Sequence, residues 1–310
     1  MAFEKLIGQN QIKKKLNFYI DVQKKVGTVP FLNFIGARGL GKTAYAREFA
    51  KQLKTKDGTE KKFIEINSST IKSVSQFFDQ VFIPHIQNKE VVVLFDECHA
   101  MPESLVYSLL TILNTEKSPI RDYKMEDGVY RFDFSKHHFL FATTESHEIF
   151  PPLRDRLTVV EFSDYSKDDL KEIFLSYLSG YTFDDDALDE IAATSRGNAR
   201  SCILRAQEIQ NFCSAYKIKH VSKKESLELF DILGVLPEGL NRIEWEILKI
   251  LKRHGSCSLA SIAAKTGLSR SSIQKDHEMY LLRKGFMNIE GLRKITPQGV
   301  RVLEKQKSKV

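Results

Sequence analysis

The sequence has few cysteines and no long apolar segment. Its four cysteines lie far apart, and their spacing matches neither a metal site nor a disulfide framework. The longest purely apolar run, Val91 to Phe95, is far shorter than a membrane span. The first few residues contain no apolar signal region. These absences argue against a disulfide-rich secreted domain and against a membrane protein, and they predict a protein of the reducing cytoplasm.

Excess positive charge is lacking in most of the chain and is concentrated at its end. Residues 241–310 contain 15 Lys and Arg against 6 Asp and Glu, a balance of +9. The whole chain of 310 residues carries +7, so the residues before 241 carry −2. Such a clustered positive charge usually meets phosphates, which predicts a nucleic-acid partner for the C-terminal part. The alternative is a solvated basic face without a partner.

A glycine-rich segment follows the apolar segment 31–35. Gly36, Gly41, Lys42 and Thr43 fit the pattern G-x-x-x-x-G-K-[ST] of a phosphate loop. Glycines let backbone N–H groups surround a phosphate, the lysine reaches the β- and γ-phosphates, and the threonine hydroxyl can ligate Mg²⁺. The pattern therefore predicts a site for ATP and Mg²⁺. The residues expected to contact the nucleotide are Gly36, Ala37, Arg38, Gly39, Leu40, Gly41, Lys42, Thr43 and Ala44.

A second apolar segment ends in two carboxylates. Val91 to Phe95 is typical of a strand buried on both faces, and Asp96 and Glu97 follow at its carboxyl end, where ligands of open α/β sheets bind. Downstream of a phosphate loop, we expect Asp96 to hold Mg²⁺ and Glu97 to polarise the attacking water. Plain turn polarity is the alternative explanation of Asp-Glu at a strand end.

The rest of the first half alternates strands and helices, which predicts a parallel sheet. Ser68 to Thr70 are predicted to cap a helix that includes Phe77 and Phe78. The segment Tyr123 to Phe134, with a turn at Glu126 to Gly128, is typical of a β-hairpin. We therefore predict the α/β class, with this sheet as the core of the N-terminal domain.

The second half differs in pattern. From Asp164 the sequence is wholly helical, and a segment containing Pro237 separates this helical part from a C-terminal part. The prediction is a large nucleotide-binding domain at residues 1–163, a small helical lid domain at 164–236 and a winged helix at 237–310.

The winged-helix prediction rests on three helices followed by two strands. The helices are predicted at Arg242 to Arg253, Leu259 to Lys265 and Arg270 to Lys284, the last being the recognition-helix candidate. A turn at Glu290 and Gly291 joins the strands of the wing. Many winged helices bind proteins instead of DNA, but the local basic excess favours DNA. The candidate DNA contacts are Arg270, Lys275, Arg293 and Lys294.

Several motifs together resemble those of RuvB, the AAA+ motor family that drives branch migration of Holliday junctions. The resemblance covers nearly the whole chain and begins at Ile7 to Leu16. It continues through Gly39 to Thr43, Asp96 to His99, Pro152 to Arg156 and Arg196 to Arg200. An AAA+ P-loop NTPase with a helical lid and a winged helix is what this resemblance implies.

The resemblance also implies roles for single residues. Ile7 and Gly8 would lie against adenine, Thr144 would sense the γ-phosphate, and Arg200 would face the nucleotide from the lid. Arg156 would be the arginine finger, with Arg154 as the second candidate. Because such a finger acts on a neighbour's nucleotide, the resemblance implies a homo-oligomer, hexameric while working, that moves on duplex or junction DNA.

Two of the departures from the family pattern bear on function. Ala37 and Arg38 stand where the family has two prolines, which puts an extra cation beside the phosphates. The predicted hairpin is shorter and more polar than the family's, which docks onto a RuvA protein, and this difference argues against a RuvA-like partner. Such departures would fit a divergent relative encoded by a phage or a mobile element.

Three functions share this set of residues. The first is an ATP-driven DNA motor of the branch-migration type. The second is an AAA+ loader or remodeller that acts on a protein bound to DNA. The third is an ATP-switched DNA-binding module, in which slow hydrolysis only resets assembly. The presence of both sensors and a finger argues against the third.

Overall fold

The computed structural model describes residues 2–55, 57–114, 120–125 and 128–305. The chain divides into two compact units, Met1–Tyr165 and Ser166–Val310. None of the helices in the described parts of the chain has both the length and the apolar composition that a membrane span needs. The predicted three domains, with boundaries after residues 163 and 236, stay a prediction.

The first unit alternates helices with strands. In chain order its elements are α1 (Asn10–Val26), β1 (Leu32–Ile35), α2 (Lys42–Gln52), β2 (Lys62–Asn67), α3 (Val74–Phe77), β3 (Val91–Asp96), α4 (Glu103–Ile112), β4 (Ile120–Met125), β5 (Gly128–Asp133), β6 (His137–Thr143), α5 (Pro151–Arg154) and β7 (Thr158–Glu161).

Five of these strands form a parallel sheet in the order β2-β3-β6-β1-β7. The side chains of Val91 to Phe95 are at most 1% exposed, so β3 is buried on both faces as predicted. Because all five strands run in the same direction, their carboxyl ends meet at one edge of the sheet. The predicted α/β class with a parallel sheet is confirmed.

The predicted hairpin is present as β4 paired antiparallel with β5. Aromatic side chains anchor its base, since the ring of Phe78 lies 4.9 Å from that of Tyr123 and 5.3 Å from that of Phe132. Buried aromatic rings contribute much of the apolar area in a core, so this contact fixes the hairpin to the unit. The predicted turn residues Glu126 and Asp127 lie outside the described residues.

The helix predicted after β2 begins later than expected. Ser68–Thr70 form a short 3-10 turn, because the Asn67 side chain accepts the N–H of Ser69. Ser73 is the residue that caps α3, and the helix continues as a π-helix over Phe78–Ile86. The prediction that Ser68 to Thr70 cap this helix was therefore wrong.

The second unit begins with helices and ends with a winged helix. Its elements are α6 (Lys167–Ser176), β8 (Thr182–Phe183), α7 (Asp185–Thr194), α8 (Ala199–Tyr216), β9 (His220–Val221), α9 (Lys223–Ile232), α10 (Arg242–His254), β10 (Ser256–Cys257), α11 (Leu259–Thr266), α12 (Arg270–Ser272), a π-helix (Ile273–Glu278), α13 (Met279–Arg283), β11 (Met287–Glu290), β12 (Leu292–Ile295) and α14 (Pro297–Lys305).

Two small strand pairings in this unit were not predicted. β8 pairs parallel with β9, so the helical part is not wholly helical. β10 pairs with β12, and the wing is therefore a three-stranded sheet rather than a two-stranded one. Each missed strand has only two residues, which is too short to show an alternating pattern.

An ion pair connects the helical part of the second unit with its winged helix. The guanidinium of Arg196 donates to both carboxylate oxygens of Glu244, at 2.8 and 3.2 Å. Glu244 is fully buried and also closes the capping box of α10 with Asn241. The Arg196 guanidinium lies 3.4 Å from the ring centre of Tyr280 on the recognition helix. The two parts are thus joined through a buried carboxylate.

Candidate nucleotide site and nucleic-acid face

The phosphate loop has a backbone that requires glycine at two positions. Gly36 follows β1, and a Cβ atom there would lie 2.8 Å from the Cβ of Phe162. Gly41 has a φ of +93° and begins α2 in the left-handed region. The loop therefore leads directly into a helix N-terminus, which favours the binding of an anion.

Lys42 lies across this loop. Its side chain is buried, and its ammonium group donates to the carbonyl oxygens of Gly36 and Ala37 at 2.7 and 3.1 Å. These bonds hold the ammonium group against the first residues of the loop. Thr43 is the next residue in the first turn of α2, so it lies at the same end of the helix as Lys42.

The two predicted carboxylates lie at the carboxyl end of β3. Burial raises the pKa of Asp96, and the neighbouring carboxylates of Glu97 and Glu65 raise it further, while Lys42 opposes them. A nearby cation stabilises the charged form of such a half-buried carboxylate among other carboxylates. Oxygen donors such as this carboxylate and the Thr43 hydroxyl are the ligands that Mg²⁺ prefers, so the residues fit a magnesium site.

Glu97 has contacts from three directions. The hydroxyl of Thr144 donates to its Oε2 at 3.2 Å, and Nδ1 of His99 lies 3.5 Å from the same oxygen. The guanidinium of Arg38 lies 3.6 Å from Oε1. Glu97 has a positive φ of 49°, a backbone strain that is common at functional sites. The phosphate loop, β3 and the end of β6 therefore meet at this carboxylate.

The structure brings the predicted sensor threonine to this place. β6 lies between β1 and β3, so Thr143 and Thr144 at its carboxyl end lie beside the ends of both strands. Thr143 is buried, and its hydroxyl bonds to His99 and accepts the N–H of Glu145. Thr144 contacts the Glu97 carboxylate, and its role as the γ-phosphate sensor stays a prediction.

The segment expected to face adenine is tied to the phosphate-loop helix. The hydroxyl of Tyr45, on α2, donates to the carbonyl of Gly8 at 3.0 Å and lies 3.4 Å from that of Ile7. Phe3 stacks on the same tyrosine with 5.9 Å between ring centres. Tyr45 thus fixes the position of this segment next to the helix that begins at the phosphate loop.

Two tyrosines were missed by the sequence reasoning. Tyr45 is buried on α2, and Tyr165 donates its hydroxyl to the Leu40 carbonyl at 3.0 Å. A tyrosine on a helix face that is otherwise apolar was the available signal for Tyr45. Nothing in the sequence around Tyr165 indicates its contact, because its partner lies 125 residues earlier.

The three arginines expected to act on the nucleotide are exposed. Arg154 ends α5, and the guanidinium of Arg156 donates to the carbonyl of Pro152 at 2.7 Å. Arg200 lies in the first turn of α8, in the second unit. Their roles as finger and lid residue stay predictions.

The winged helix presents only part of the predicted DNA contacts. Arg270 and Lys275 are exposed on the recognition helix, and Lys294 is exposed while pairing with Glu290. Arg293 instead forms a two-point ion pair with buried Glu278, and its side chain is only 11% exposed. This geometry argues against a DNA contact by Arg293, because its donors serve a buried carboxylate.

Comparisons with known proteins agree with this arrangement. Residues 32–165 match the family model for the ATPases associated with various cellular activities (AAA), and residues 237–304 match the RuvB C-terminal winged helix domain. A RuvB subunit of the Holliday junction branch migration complex from Thermotoga maritima is 27% identical, over 98% of this chain and 89% of that protein. The chain is a RuvB-like AAA ATPase.

Further relatives of this RuvB-like chain give the same result. The corresponding subunit from Phytoplasma mali is 27% identical over 92% of this chain and 86% of its own length. The solved structure of the Thermotoga maritima RuvB branch migration motor has a TM-score of 0.75 at 24% identity, covering 98% of this chain and 97% of that one. At this identity the structural match establishes the fold, and the predicted RuvB resemblance is confirmed.

Proposed function

We propose that this RuvB-like chain hydrolyses ATP with Mg²⁺ and uses the energy to move duplex or junction DNA through an oligomeric ring. The observation that carries the proposal is the contact between Glu97 and Thr144 at the edge of the sheet where the phosphate loop begins. A carboxylate, a hydroxyl sensor and a buried lysine from three separate strands and loops converge there. The names of the relatives support the choice of DNA as substrate.

Each residue of the site has a defined part in hydrolysis. Lys42 and the loop N–H groups bind the β- and γ-phosphates, and Thr43 with Asp96 would hold Mg²⁺, which neutralises phosphate charge when bound. Glu97 orients a water molecule and accepts its proton as the water oxygen attacks the γ-phosphorus. The bond to the bridging oxygen of ADP breaks in the same displacement. Thr144 keeps Glu97 directed towards that water.

Two further groups are proposed to act on the nucleotide. Arg156 belongs to a neighbouring subunit in this proposal, with Arg154 as the alternative, and Arg200 belongs to the lid. Both finger candidates are exposed, as a residue that reaches into a neighbour must be. A homo-oligomer follows from a finger that acts in a neighbour, and the resemblance to RuvB implies that this oligomer is hexameric while working.

The winged helix is the proposed DNA contact. Arg270, Lys275 and Lys294 are exposed on its recognition helix and wing, within the basic C-terminal part of the chain. A RuvA-like protein partner would dock onto the hairpin β4–β5, where Val129 is 69% exposed, but the short and polar character of this hairpin argues against such a partner. The four cysteines are buried and free, which supports the proposed cytoplasmic location.

A strand-exchange assay tests the proposal. A mobile four-way junction with one labelled strand is incubated with the full chain, ATP and Mg²⁺, and the released duplex is measured. We expect ATP-dependent release with the natural protein and none with Glu97→Gln. If the junction is bound and ATP is hydrolysed without strand release, the loader or the ATP-switched module replaces the motor.

A further inference from the structure

We infer that Arg38 holds Glu97 until the γ-phosphate draws the arginine away, so that ATP and not ADP releases the catalytic carboxylate. The inference rests on the proposed ATPase function and names a positioning residue within that site. It concerns the cation that this chain carries inside its phosphate loop, between Gly36 and Gly39.

The contact between Arg38 and Glu97 joins two otherwise separate parts of the site. Nε of Arg38 lies 3.6 Å from Oε1 of Glu97, while Oε2 accepts the Thr144 hydroxyl. The residue next to Arg38 is anchored, since the Ala37 carbonyl accepts a hydrogen bond from Lys42. The arginine therefore extends from a fixed part of the loop towards one oxygen of the carboxylate.

The same contact is easy to exchange. The Arg38 side chain is 77% exposed, and ion pairs with such exposure contribute little to stability in water. A terminal phosphate carries more negative charge than a carboxylate and accepts two parallel N–H bonds from a guanidinium. A triphosphate bound in this loop would place that phosphate within the same region, whereas ADP lacks it. The arginine therefore contacts the γ-phosphate when ATP is bound and Glu97 when ADP is bound.

This exchange couples binding to catalysis. While Arg38 contacts Oε1, Glu97 is directed towards the loop and cannot freely orient water. When the guanidinium moves to the γ-phosphate, the carboxylate keeps its contacts to Thr144 and His99. Release of the carboxylate and binding of the terminal phosphate are then one event.

The first test compares ATP and ADP affinity. Binding of ATPγS and of ADP to the full chain is measured by titration calorimetry for the natural protein, Arg38→Ala and Arg38→Lys. The control Arg131→Ala removes an exposed, ion-paired guanidinium from the hairpin. We expect Arg38→Ala to weaken ATPγS about tenfold, the size of one charged hydrogen bond, and to leave ADP unchanged. Arg38→Lys should recover part of the loss.

The second test is a double-mutant cycle on ATPγS affinity. Glu97→Gln removes the charge that competes for Arg38, so it should tighten binding more in the natural background than in Arg38→Ala. We expect the effects of Glu97→Gln on ATPγS affinity in the two backgrounds to differ by about threefold, as for an exposed ion pair. The inference would be overturned if the ratio of ATPγS to ADP affinity were the same in the natural protein and in Arg38→Ala. It would also be overturned if the cycle showed no coupling between Arg38 and Glu97. If the natural protein neither binds nor hydrolyses ATP, both the inference and the proposed function fail. If it hydrolyses ATP but Arg38→Ala leaves the ratio of ATPγS to ADP affinity unchanged, only the role of Arg38 fails.

Discussion

At the scale of single residues, the site depends on carboxylates and cations that other elements hold in place. Lys42 is fixed by two carbonyl oxygens of its own loop, and Glu97 is fixed by a threonine from another strand. Sequence alone predicted these residues, because motif spacing and the meeting of parallel strand ends determine their location. It did not predict Tyr45 or Tyr165, because their hydroxyls donate to backbone carbonyls that are distant in the sequence.

The half-buried His138 makes the free energy of unfolding depend on pH. Burial, followed by the charges of Lys61 and His137, lowers the pKa of His138 to about 4. The unfolded chain, with a pKa near 6.5, therefore binds more protons between pH 6.5 and 4, and stability is lost as pH falls through that range. The expected loss from pH 7 to pH 4 is about 3 kcal/mol.

Urea unfolding of the full chain at several pH values, followed by tyrosine circular dichroism, checks this expectation. His138→Asn should lower the dependence on pH, while the matched control His147→Asn changes a side chain that is 75% exposed and should leave it intact. An unchanged slope in His138→Asn would show that other groups cause the dependence.

At the scale of elements, long strands and helices followed from the sequence and short ones did not. β3 was predicted from an unbroken apolar run, whereas β8, β9 and β10 are two-residue strands that only tertiary contacts define. The basic residues of the wing were predicted as a group, but Arg293 pairs with Glu278, fifteen positions earlier. No sequence pattern distinguishes a cation with a buried partner from one that faces solvent.

The pair Arg196–Glu244 is expected to stabilise the second unit. Glu244→Gln leaves the guanidinium of Arg196, 28% exposed, without its charged partner. Removing one member of a buried pair costs about 3 kcal/mol. Trp245, the only tryptophan in the chain, is buried next to Glu244 and reports unfolding of this unit by fluorescence.

The control for this prediction lies on the same helix. Glu246→Gln removes one negative charge from an exposed position of α10. We expect the urea midpoint of Trp245 fluorescence to fall clearly for Glu244→Gln and to change little for Glu246→Gln. Equal midpoints for the two variants would mean that the buried pair does not contribute.

At the scale of the whole molecule, the proposed function requires that subunits share active sites. Arg156→Ala should bind ATPγS normally and lose hydrolysis by about a thousandfold or more, as expected for a finger that stabilises the transition state. If Arg156→Ala hydrolyses normally and Arg154→Ala does not, Arg154 is the finger.

Mixing two inactive variants tests sharing directly. Glu97→Gln subunits keep Arg156, and Arg156→Ala subunits keep Glu97, so a mixed ring contains some complete sites. Equal mixing should restore about a quarter of the natural rate if subunits assemble at random. No recovery, with mixed assembly confirmed by labelled subunits, would contradict a finger supplied by the neighbour.

The most direct measurement of the central claim is steady-state ATP turnover by the full chain. It is made without DNA, with single strands, with linear duplex and with a mobile four-way junction, each beside Glu97→Gln as the inactive control. A DNA motor of the RuvB type predicts turnover that rises with duplex and junction and is absent in the variant. Turnover that is the same under all four conditions would contradict the motor and favour a protein loader or an ATP-controlled DNA-binding module.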